Sequence, residues 1–322
     1  MALRLPIKST ADLASIFNRQ LRNTSVLSLE PGIIQGHVDV IALKSIKIFR
    51  VKLNLSVAIC ADRSPGKTLF SIDLLPANIS NCLVAQGISF QRPALFGFNN
   101  NLRDVDLVLP ACSNMCVIAV PNHFLAKQLD GFGCFDSFDI LDKFNAVTNS
   151  SVSSDLLPAL KRVWSDATST PDDFVELEIM SLLIQCLTDK NERKVGRSLT
   201  RNGRYDVARR VLSLIFAEPT KPLKIQDLSC LLHQSRTSIF SSCKEKFGMA
   251  PVQLIRSVRL HQVHHALLDV EFSEQHNLHG GTEIAEFFGF VGRSHFAKYY
   301  KNTFLETPSQ TLARRTKAEH IF

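Results

Sequence analysis

The chain has no long apolar run. In its 322 residues, no stretch approaches the ~18 uninterrupted apolar residues that a membrane-spanning helix needs. Pro6, Lys8 and Asp12 interrupt the first segment, which therefore lacks the apolar core of an export signal. We expect a cytoplasmic protein without a membrane partner.

The sequence also lacks the usual marks of an enzyme site or a disulfide framework. No glycine-rich phosphate loop and no Ser-His-Asp order stands out, and residues 64–67 (Ser-Pro-Gly-Lys) read as a turn. The eight cysteines contain no Cys-x-x-Cys pair, which favours reduced thiols. Cys112 and Cys116 are close in sequence, so a redox or metal sensor there is an alternative to ordinary buried thiols. We expect no enzyme, no cofactor and no metal.

The charge is unevenly distributed. Residues 190–322 hold 21 Lys and Arg against 12 Asp and Glu, a net of +9, whereas residues 1–189 hold 16 against 18, a net of −2. A basic half attracts a polyanion and predicts salt-dependent binding. The same excess also fits a solvated basic surface, so charge alone does not decide between the two.

The first 188 residues divide into a β-rich part and a helical part. Residues 24–120 contain β-branched and aromatic segments separated by turn signals, which predicts a sandwich or small barrel. Residues 121–188 show helical periodicity, with one apolar stripe near Leu160 and another from Phe174 to Leu187. We expect one of these stripes to pack within the chain and the other to form a homodimer.

A basic, weakly apolar segment separates this half from the rest of the chain. Residues 189–204 are predicted to be a linker. The sequence therefore predicts an α+β protein with three parts: a sensor and dimerisation domain at residues 1–188, the linker, and an all-α domain at residues 205–322.

The all-α domain contains the same pattern twice, 56 or 57 residues apart. Each copy has a short apolar helix, a tight turn and a second helix whose inward residues are spaced by four and followed by a proline. The inward residues are Ile239, Cys243 and Phe247 in the first copy, and Phe296, Tyr300 and Phe304 in the second. This is the layout of a duplicated helix-turn-helix, which favours DNA as the partner.

The outward faces of the second helices are the candidate DNA contacts. In the first copy, with Ser235 at the helix N-cap, they are Ser235, Arg236, Thr237, Phe240, Ser241 and Lys244. In the second copy they are Arg293, Ser294, His295, Lys298 and Lys301. Arg293 is the best candidate for a bidentate guanine contact, and the two lysines Lys244 and Lys301 suit phosphates.

A single helix over residues 252–268 is predicted to join the two copies and to hold their recognition helices at a fixed separation. His261, His264 and His265 lie on it at spacings of three and four, which suits a metal site. We favour exposed imidazoles on a connector that faces DNA.

Residues 205–314 resemble the DNA-binding domain of the AraC/XylS transcriptional regulators. The resemblance rests on residues 227–229, 235–251 and 259–260, and above all on Ile284-Ala285, Gly289-Phe290, Ser294, Phe296, Tyr300-Lys301, Phe304 and Pro308. The segment from residue 269 to 281 is long and weakly resembles the ethanolamine-utilisation regulators. Three residues depart from the family pattern: Cys243 replaces an aromatic, Ser241 an arginine and Leu305 a glycine.

The resemblance implies a regulator that binds promoter DNA, recruits RNA polymerase, usually as an activator, and carries a cupin-like sensor domain for an unknown effector. Residues 1–188 contain only two histidines, His37 and His123, so a cupin enzyme fused to the DNA-binding domain is disfavoured. A DNA-repair protein that carries the same DNA-binding domain is the other alternative. It would need a reactive cysteine, but Cys82 and Cys134 lack basic neighbours, and Asp62 offsets the Arg63 beside Cys60.

Overall fold

The computed structural model describes residues 2–79, 83–133, 141–148, 150–165, 172–189, 194–197, 203–221 and 223–319. The N-terminal part is rich in strands and the C-terminal part is helical, so the predicted α+β class is confirmed. In the described residues, no helix has the length and apolarity that crossing a membrane requires.

The strands form two antiparallel sheets. They are β1 Leu3–Ile7, β2 Leu21–Ser28, β3 Gly36–Ala42, β4 Lys47–Leu53, β5 Val57–Arg63, β6 Lys67–Asp73, β7 Val84–Ala85, β8 Ile88–Ser89, β9 Leu95–Phe96, β10 Asp104–Leu109, β11 Ser113–Pro121, β12 Phe144–Thr148 and β13 Lys194–Arg197. The order is β1-β3-β4-β11-β6-β9-β12-β13 in one sheet and β2-β5-β10-β7-β8 in the other. This agrees with the sandwich or barrel that the turn spacing predicts.

The helices of the N-terminal part all lie between these strands in the sequence. They are α1 Thr10–Asn18, α2 Asn122–Gly131, a π-helix at Val152–Leu156, α3 Leu157–Ser165 and α4 Asp172–Thr188. Helix α4 is anchored by Glu176, whose buried carboxylate accepts hydrogen bonds from the Ser45 and Ile46 amides at 2.7 and 3.3 Å. That contact joins α4 to the turn between β3 and β4.

The C-terminal part is helical throughout its described residues. Its helices are α5 Gly203–Ala217, α6 Ile225–Leu232, α7 Arg236–Phe247, α8 Pro251–Leu268, α9 Val270–Gln275, α10 Gly281–Phe287, α11 Arg293–Phe304 and α12 Pro308–Glu319. The long segment that precedes the second copy of the repeat contains the short helix α9.

The structure corrects the sequence expectations at two places. β12 interrupts the region predicted to be wholly helical, because residues 144–148 complete the sheet by pairing with β9 and β13. Residues 194–197 of the expected linker are that partner strand β13, and α5 begins at Gly203. The other residues of the linker, apart from Asp189 and Arg204, lie outside the described residues, as do Cys82 and Cys134.

The five-stranded sheet has apolar side chains on both faces. Along β5, Ile59 and Ala61 belong to the core between the sheets, whereas Ala58 and Cys60 pack against the helices α5 to α8. Side chains of a strand alternate between the two faces, so one strand serves two cores. The helical part is therefore packed directly on the outer face of this sheet.

Candidate nucleic-acid interface

The first helix-turn-helix consists of α6, a tight turn and α7. His233 takes the left-handed conformation, with φ of 51°, and ends α6. The Ser235 hydroxyl accepts a hydrogen bond from the Ser238 amide at 3.1 Å and starts α7. Gly248, with φ of 69°, ends α7. The N-cap and the glycine stop are the ones that the sequence predicts.

One face of α7 is buried and the opposite face is open. Ile239, Cys243 and Phe247 are buried, as predicted. The candidate contacts on the other face are exposed, apart from a half-buried Ser241: Ser235, Arg236, Thr237, Phe240 and Lys244. The Arg236 guanidinium donates to Gln226 Oε1 at 3.0 Å, which holds it toward α6.

The second helix-turn-helix consists of α10, a turn at Gly289 and α11. Gly289 has φ of 81°, a left-handed conformation that glycine adopts without the strain a side chain would add. Leu305 ends α11 with φ of 60°. This position is the counterpart of Gly248, and here a leucine takes the left-handed conformation.

The recognition helix α11 also has one buried and one exposed face. Phe296, Tyr300 and Phe304 are buried, as predicted. All five candidate contacts on the opposite face are exposed: Arg293, Ser294, His295, Lys298 and Lys301. Three of the five are Arg or Lys, whereas the first helix offers Arg236 and Lys244, so the second outer face carries more positive charge.

A buried polar network lies inside the second helix-turn-helix. The Tyr300 hydroxyl lies 2.6 Å from His264 Nδ1 and 2.8 Å from Thr311 Oγ1. Burial lowers the pKa of His264 to about 3 and that of His261 to about 4, and it raises the pKa of Tyr300. These groups are therefore neutral at pH 7.

The expectation of exposed imidazoles on the connecting helix is wrong for two of the three histidines. Because α8 lies against α11, the rings of His261 and His264 pack on Phe304, with centroids 5.0 and 4.3 Å from the centroid of the Phe304 ring. His265 keeps a side chain that is 38% exposed. In the described residues, no group of three or more His, Cys, Asp and Glu side chains is arranged to hold a metal.

The connecting helix α8 belongs to two separate cores. Its first half contributes Leu254, Ile255 and Val258 to the core of the first helix-turn-helix. Its second half contributes Leu260, Val263 and Leu267, among others, to the core of the second. One continuous helix is thus packed on both helix-turn-helix units, the two readers of the chain, and this fixes how the two units are arranged, as predicted.

The structure does not bring the close cysteine pair together as one site. Cys112 is exposed in the turn before β11, with φ of 56°, whereas Cys116 is fully buried within that strand. Burial raises the pKa of Cys116 to about 12, so its thiol stays protonated. This arrangement argues against the redox or metal sensor considered as an alternative.

Two basic side chains of the helical part face the β-rich domain, which sequence reasoning missed. Lys246 on α7 pairs with Asp106 on β10. Arg209 on α5 lies 3.2 Å from an oxygen of Asp104, an ion-pair contact whose angle does not suit a hydrogen bond. The net positive charge of the C-terminal sequence therefore overstates the positive charge available to DNA. No local sequence pattern distinguishes the buried Lys246 from an exposed lysine.

Comparisons with known proteins also find a helix-turn-helix domain in the C-terminal part. Residues 228–314 match a family described as a helix-turn-helix domain. Two activators of the XylDLEGF operon from Pseudomonas putida, numbered 1 and 2, are 30% and 29% identical over 106 and 104 residues. Each match covers about a third of this chain (33% and 32%), but 31% of the first relative and 64% of the second. The C-terminal part is a helix-turn-helix domain of the AraC/XylS type.

Solved structures of similar proteins were also found. A probable AraC family transcriptional regulator from Rhodopseudomonas palustris is 31% identical to this chain in sequence. The match covers 34% of this chain and 97% of that one and has a TM-score of 0.31. ToxT from Vibrio cholerae is 15% identical, covering 90% of this chain and 96% of that one, with a TM-score of 0.29.

Proposed function

We propose that this chain is a sequence-specific transcriptional regulator that binds promoter DNA with both recognition helices of one monomer. The observation that carries the proposal is that α8 packs into the cores of both readers while the outer faces of α7 and α11 stay exposed. Two readers on one rigid connection can enter successive major grooves, which are about 34 Å apart on one face of DNA.

The residues proposed to contact DNA have different roles. We propose that Arg293, at the start of α11, reaches a base edge and that Lys301, in its last turn, contacts a phosphate. Arg236 begins α7 in the same way, but its bond to Gln226 holds it toward α6. We expect the second reader to supply more of the electrostatic attraction.

We propose activation, through contact with RNA polymerase, as the direction of regulation. The two similar Pseudomonas putida proteins are named as transcriptional activators, which supports this choice. We also propose, as expectations from the sequence, that the chain is located in the cytoplasm and that it is related to the ethanolamine-utilisation regulators.

An effector is proposed to act through the β-rich domain. An interior cavity of about 50 Å³ there includes Arg63 and Asn145 in its wall. The Arg63 Nε and the Asn145 Nδ2 are buried without a hydrogen-bond partner in the described residues, so both could serve a polar ligand. Such a volume holds only a few water molecules, and a larger effector would require the cavity to open.

We also propose a homodimer through α4. Met180, Leu183, Ile184 and Leu187 are buried within the chain, whereas Phe174 and Leu177 of the same predicted stripe are 66% and 57% exposed. Exposed large apolar side chains one turn apart form a small patch that a second copy could cover.

The DNA-repair alternative gains no support from the four buried thiols that the structure describes. A reactive cysteine needs a lowered pKa. Burial instead raises the pKa to about 12 at Cys60, Cys116, Cys186 and Cys243.

The experiment that tests the proposed function is in vitro selection of bound duplexes by the full chain, followed by a salt titration on the enriched sequence. We expect the logarithm of the affinity to fall linearly with the logarithm of the salt concentration, because phosphate contacts release counterions. Failure to enrich any sequence, or an affinity indifferent to salt, would contradict the proposal. Mapping bound sites across a genome would then indicate the regulated operons.

A further inference from the structure

Phe240 is a large apolar side chain on the outer face of α7. It is 47% exposed, and it does not belong to the core that holds Ile239, Cys243 and Phe247 on the opposite face of the helix. A single exposed apolar residue is unremarkable on an ordinary protein surface. This one lies in the middle of the candidate DNA contacts, where the group that it meets on DNA is part of the recognition.

The ring lies in a row between two cations. Arg236 is four residues before Phe240 and Lys244 is four residues after it, and residues at this spacing share one side of a helix. Both cations are exposed. Thr237 and Ser241, which lie beside the row on the outer face, have much shorter side chains. The phenylalanine is therefore the bulkiest group in the middle of this face.

The two cations of the row extend away from the ring. The Arg236 guanidinium donates to Gln226 Oε1 at 3.0 Å, toward α6. The Lys244 ammonium donates to the Gly248 carbonyl at 3.2 Å, toward the C-terminal end of α7. The centre of the outer face is thus left to the Phe240 ring.

The same row recurs in the second copy, 57 residues later. Arg293, Ala297 and Lys301 hold the equivalent positions on α11, and all three are exposed. Each recognition helix therefore presents an apolar group between an arginine and a lysine. The apolar group is a methyl in the second copy and a whole ring in the first, so the first copy reaches further at this position.

The major groove of DNA offers one apolar group to such a ring. It is the 5-methyl group of thymine, whereas the other groups on the base edges are hydrogen-bond donors and acceptors. A phenyl ring cannot bond to those donors and acceptors, so over guanine, adenine or cytosine it would displace water without replacing the lost hydrogen bonds. Over thymine it buries a methyl group instead.

We propose that Phe240 is a specificity-determining residue that reads the 5-methyl group of one thymine in the DNA block bound by the first helix-turn-helix. The inference rests on the proposed function and names the base that this position of α7 selects. The contact is hydrophobic, so thymine preference at this base pair should depend little on salt, unlike the overall affinity, which phosphate contacts make salt-dependent.

The test removes single methyl groups from the DNA. The full chain first selects its sequence from random duplexes, and each thymine of the enriched site is then replaced in turn by deoxyuridine, which lacks only the 5-methyl group. We expect one replacement to weaken wild-type binding roughly fourfold, the equivalent of about 0.8 kcal/mol for one buried carbon group. Phe240→Ala should bind the thymine and deoxyuridine duplexes about equally at that position and keep the wild-type response at the others.

Cytosine gives a second measurement of the same methyl group. With a C·G pair at that position, 5-methylcytosine should bind the wild-type chain more tightly than cytosine by a similar factor, and Phe240→Ala should not distinguish them. The matched control is Leu231→Ala, which removes a similarly exposed apolar side chain (52%) from α6 of the same unit. It should keep the full response to deoxyuridine, and an equal loss there would contradict the assignment to Phe240.

The outcomes separate this inference from the proposed function. A wild-type chain that responds to no deoxyuridine replacement overturns the reading of a methyl group and leaves the regulator proposal intact. If Phe240 has only a structural role, Phe240→Ala lowers the affinity for both duplexes and keeps their ratio, which also overturns it. Should Phe240→Ala fail to fold, as a thermal melt would show, Phe240→Gln removes the ring and should lose the same response. If the wild-type chain enriches no sequence, the proposed function fails, and this inference fails with it.

Discussion

The two helix-turn-helix units share a sequence pattern and differ in what they pack against. The first shares its core with the outer face of a β-sheet, including Leu27, Ala58 and Cys60. The second has a core of its own, in which Phe296, Tyr300 and Phe304 of α11 pack against aliphatic side chains of α8 and α10. The same motif is thus a docked unit in one copy and a self-contained unit in the other.

Two copies of one sequence repeat can therefore differ in local stability. The first unit should gain or lose order together with the β-rich domain, because it has apolar and ionic contacts with that domain. The second unit should open alone, as local units of a protein commonly do.

The strongest way to break this comparison is to remove the equivalent phenylalanine from each copy. Phe247→Ala and Phe304→Ala should each cost about 3–5 kcal/mol of local stability, since both rings are buried. Hydrogen exchange should show that Phe304→Ala exposes the amides of α10 and α11 alone. Phe247→Ala should also expose β2, β5 and β10. Equal and local effects in both variants would contradict the docked character of the first unit.

Acid should distinguish the two units next. The pKa values of His261 and His264 are lowered by burial to about 4 and 3, and an unfolded histidine has a pKa of about 6.5. The unfolded state therefore binds more protons between these values, so stability is complete above about pH 6.5 and falls as the pH drops. Each histidine should remove about 1.4 kcal/mol per pH unit.

The measurement is exchange of the α11 amides compared with the α7 amides at pH 7 and pH 5, with intrinsic rates corrected for pH. The second unit should lose protection first, because the core of the first contains no histidine among its described members. His261→Leu should reduce the pH dependence, and His265→Gln, at a more exposed position on the same helix, should leave it unchanged. Equal acid sensitivity in both units would show that these histidines do not control it.

The DNA-facing sides can be compared at equivalent arginines. Arg293→Ala should lose roughly 1–3 kcal/mol of discrimination at one base pair, the value of a bidentate contact. Arg236→Ala should lose less, because Arg236 already donates to Gln226. Competition binding with single-base variants of the selected site measures both. An unchanged sequence preference in Arg293→Ala would remove its assigned role.

The smallest effect concerns the residue that ends each recognition helix. Leu305 has φ of 60° and a side chain that is 70% exposed, so Leu305→Gly should relieve backbone strain and stabilise the second unit by about 1 kcal/mol. Gly248→Ala should change the first unit in the opposite sense. Thermal melts of both variants measure the effect, and a lower melting temperature for Leu305→Gly would show that the leucine contributes packing.

Much of the helical part could be predicted from local patterns. The inward residues of α7 and α11 recur every four positions, and all six are buried, while the turn and cap residues Ser235, Gly248 and Gly289 act where their chemistry suggests. Helix α8 was also predicted with its buried face. Local periodicity succeeds here because each reader is built from residues that are close in sequence.

Other features depend on partners that are distant in sequence. β12 is a strand because β9 and β13 pair with it, and His264 is buried because Phe304 and Tyr300 cover it. Lys246 lies two residues from the exposed Lys244, and nothing in the local pattern separates them. Periodicity indicates which residues share a face, and the tertiary structure decides what covers that face.

By itself the sequence determined that the chain carries two helix-turn-helix motifs on a basic segment, because helical spacing and turn residues are local properties. Only the tertiary structure decided that the first motif is docked on a sheet through the Asp106 and Asp104 ion pairs and that the second stands on its own core. The physical reason is that burial and charge pairing depend on which segments pack together, and the docking contacts join segments far apart in sequence, as Lys246 and Asp106 are at 140 positions.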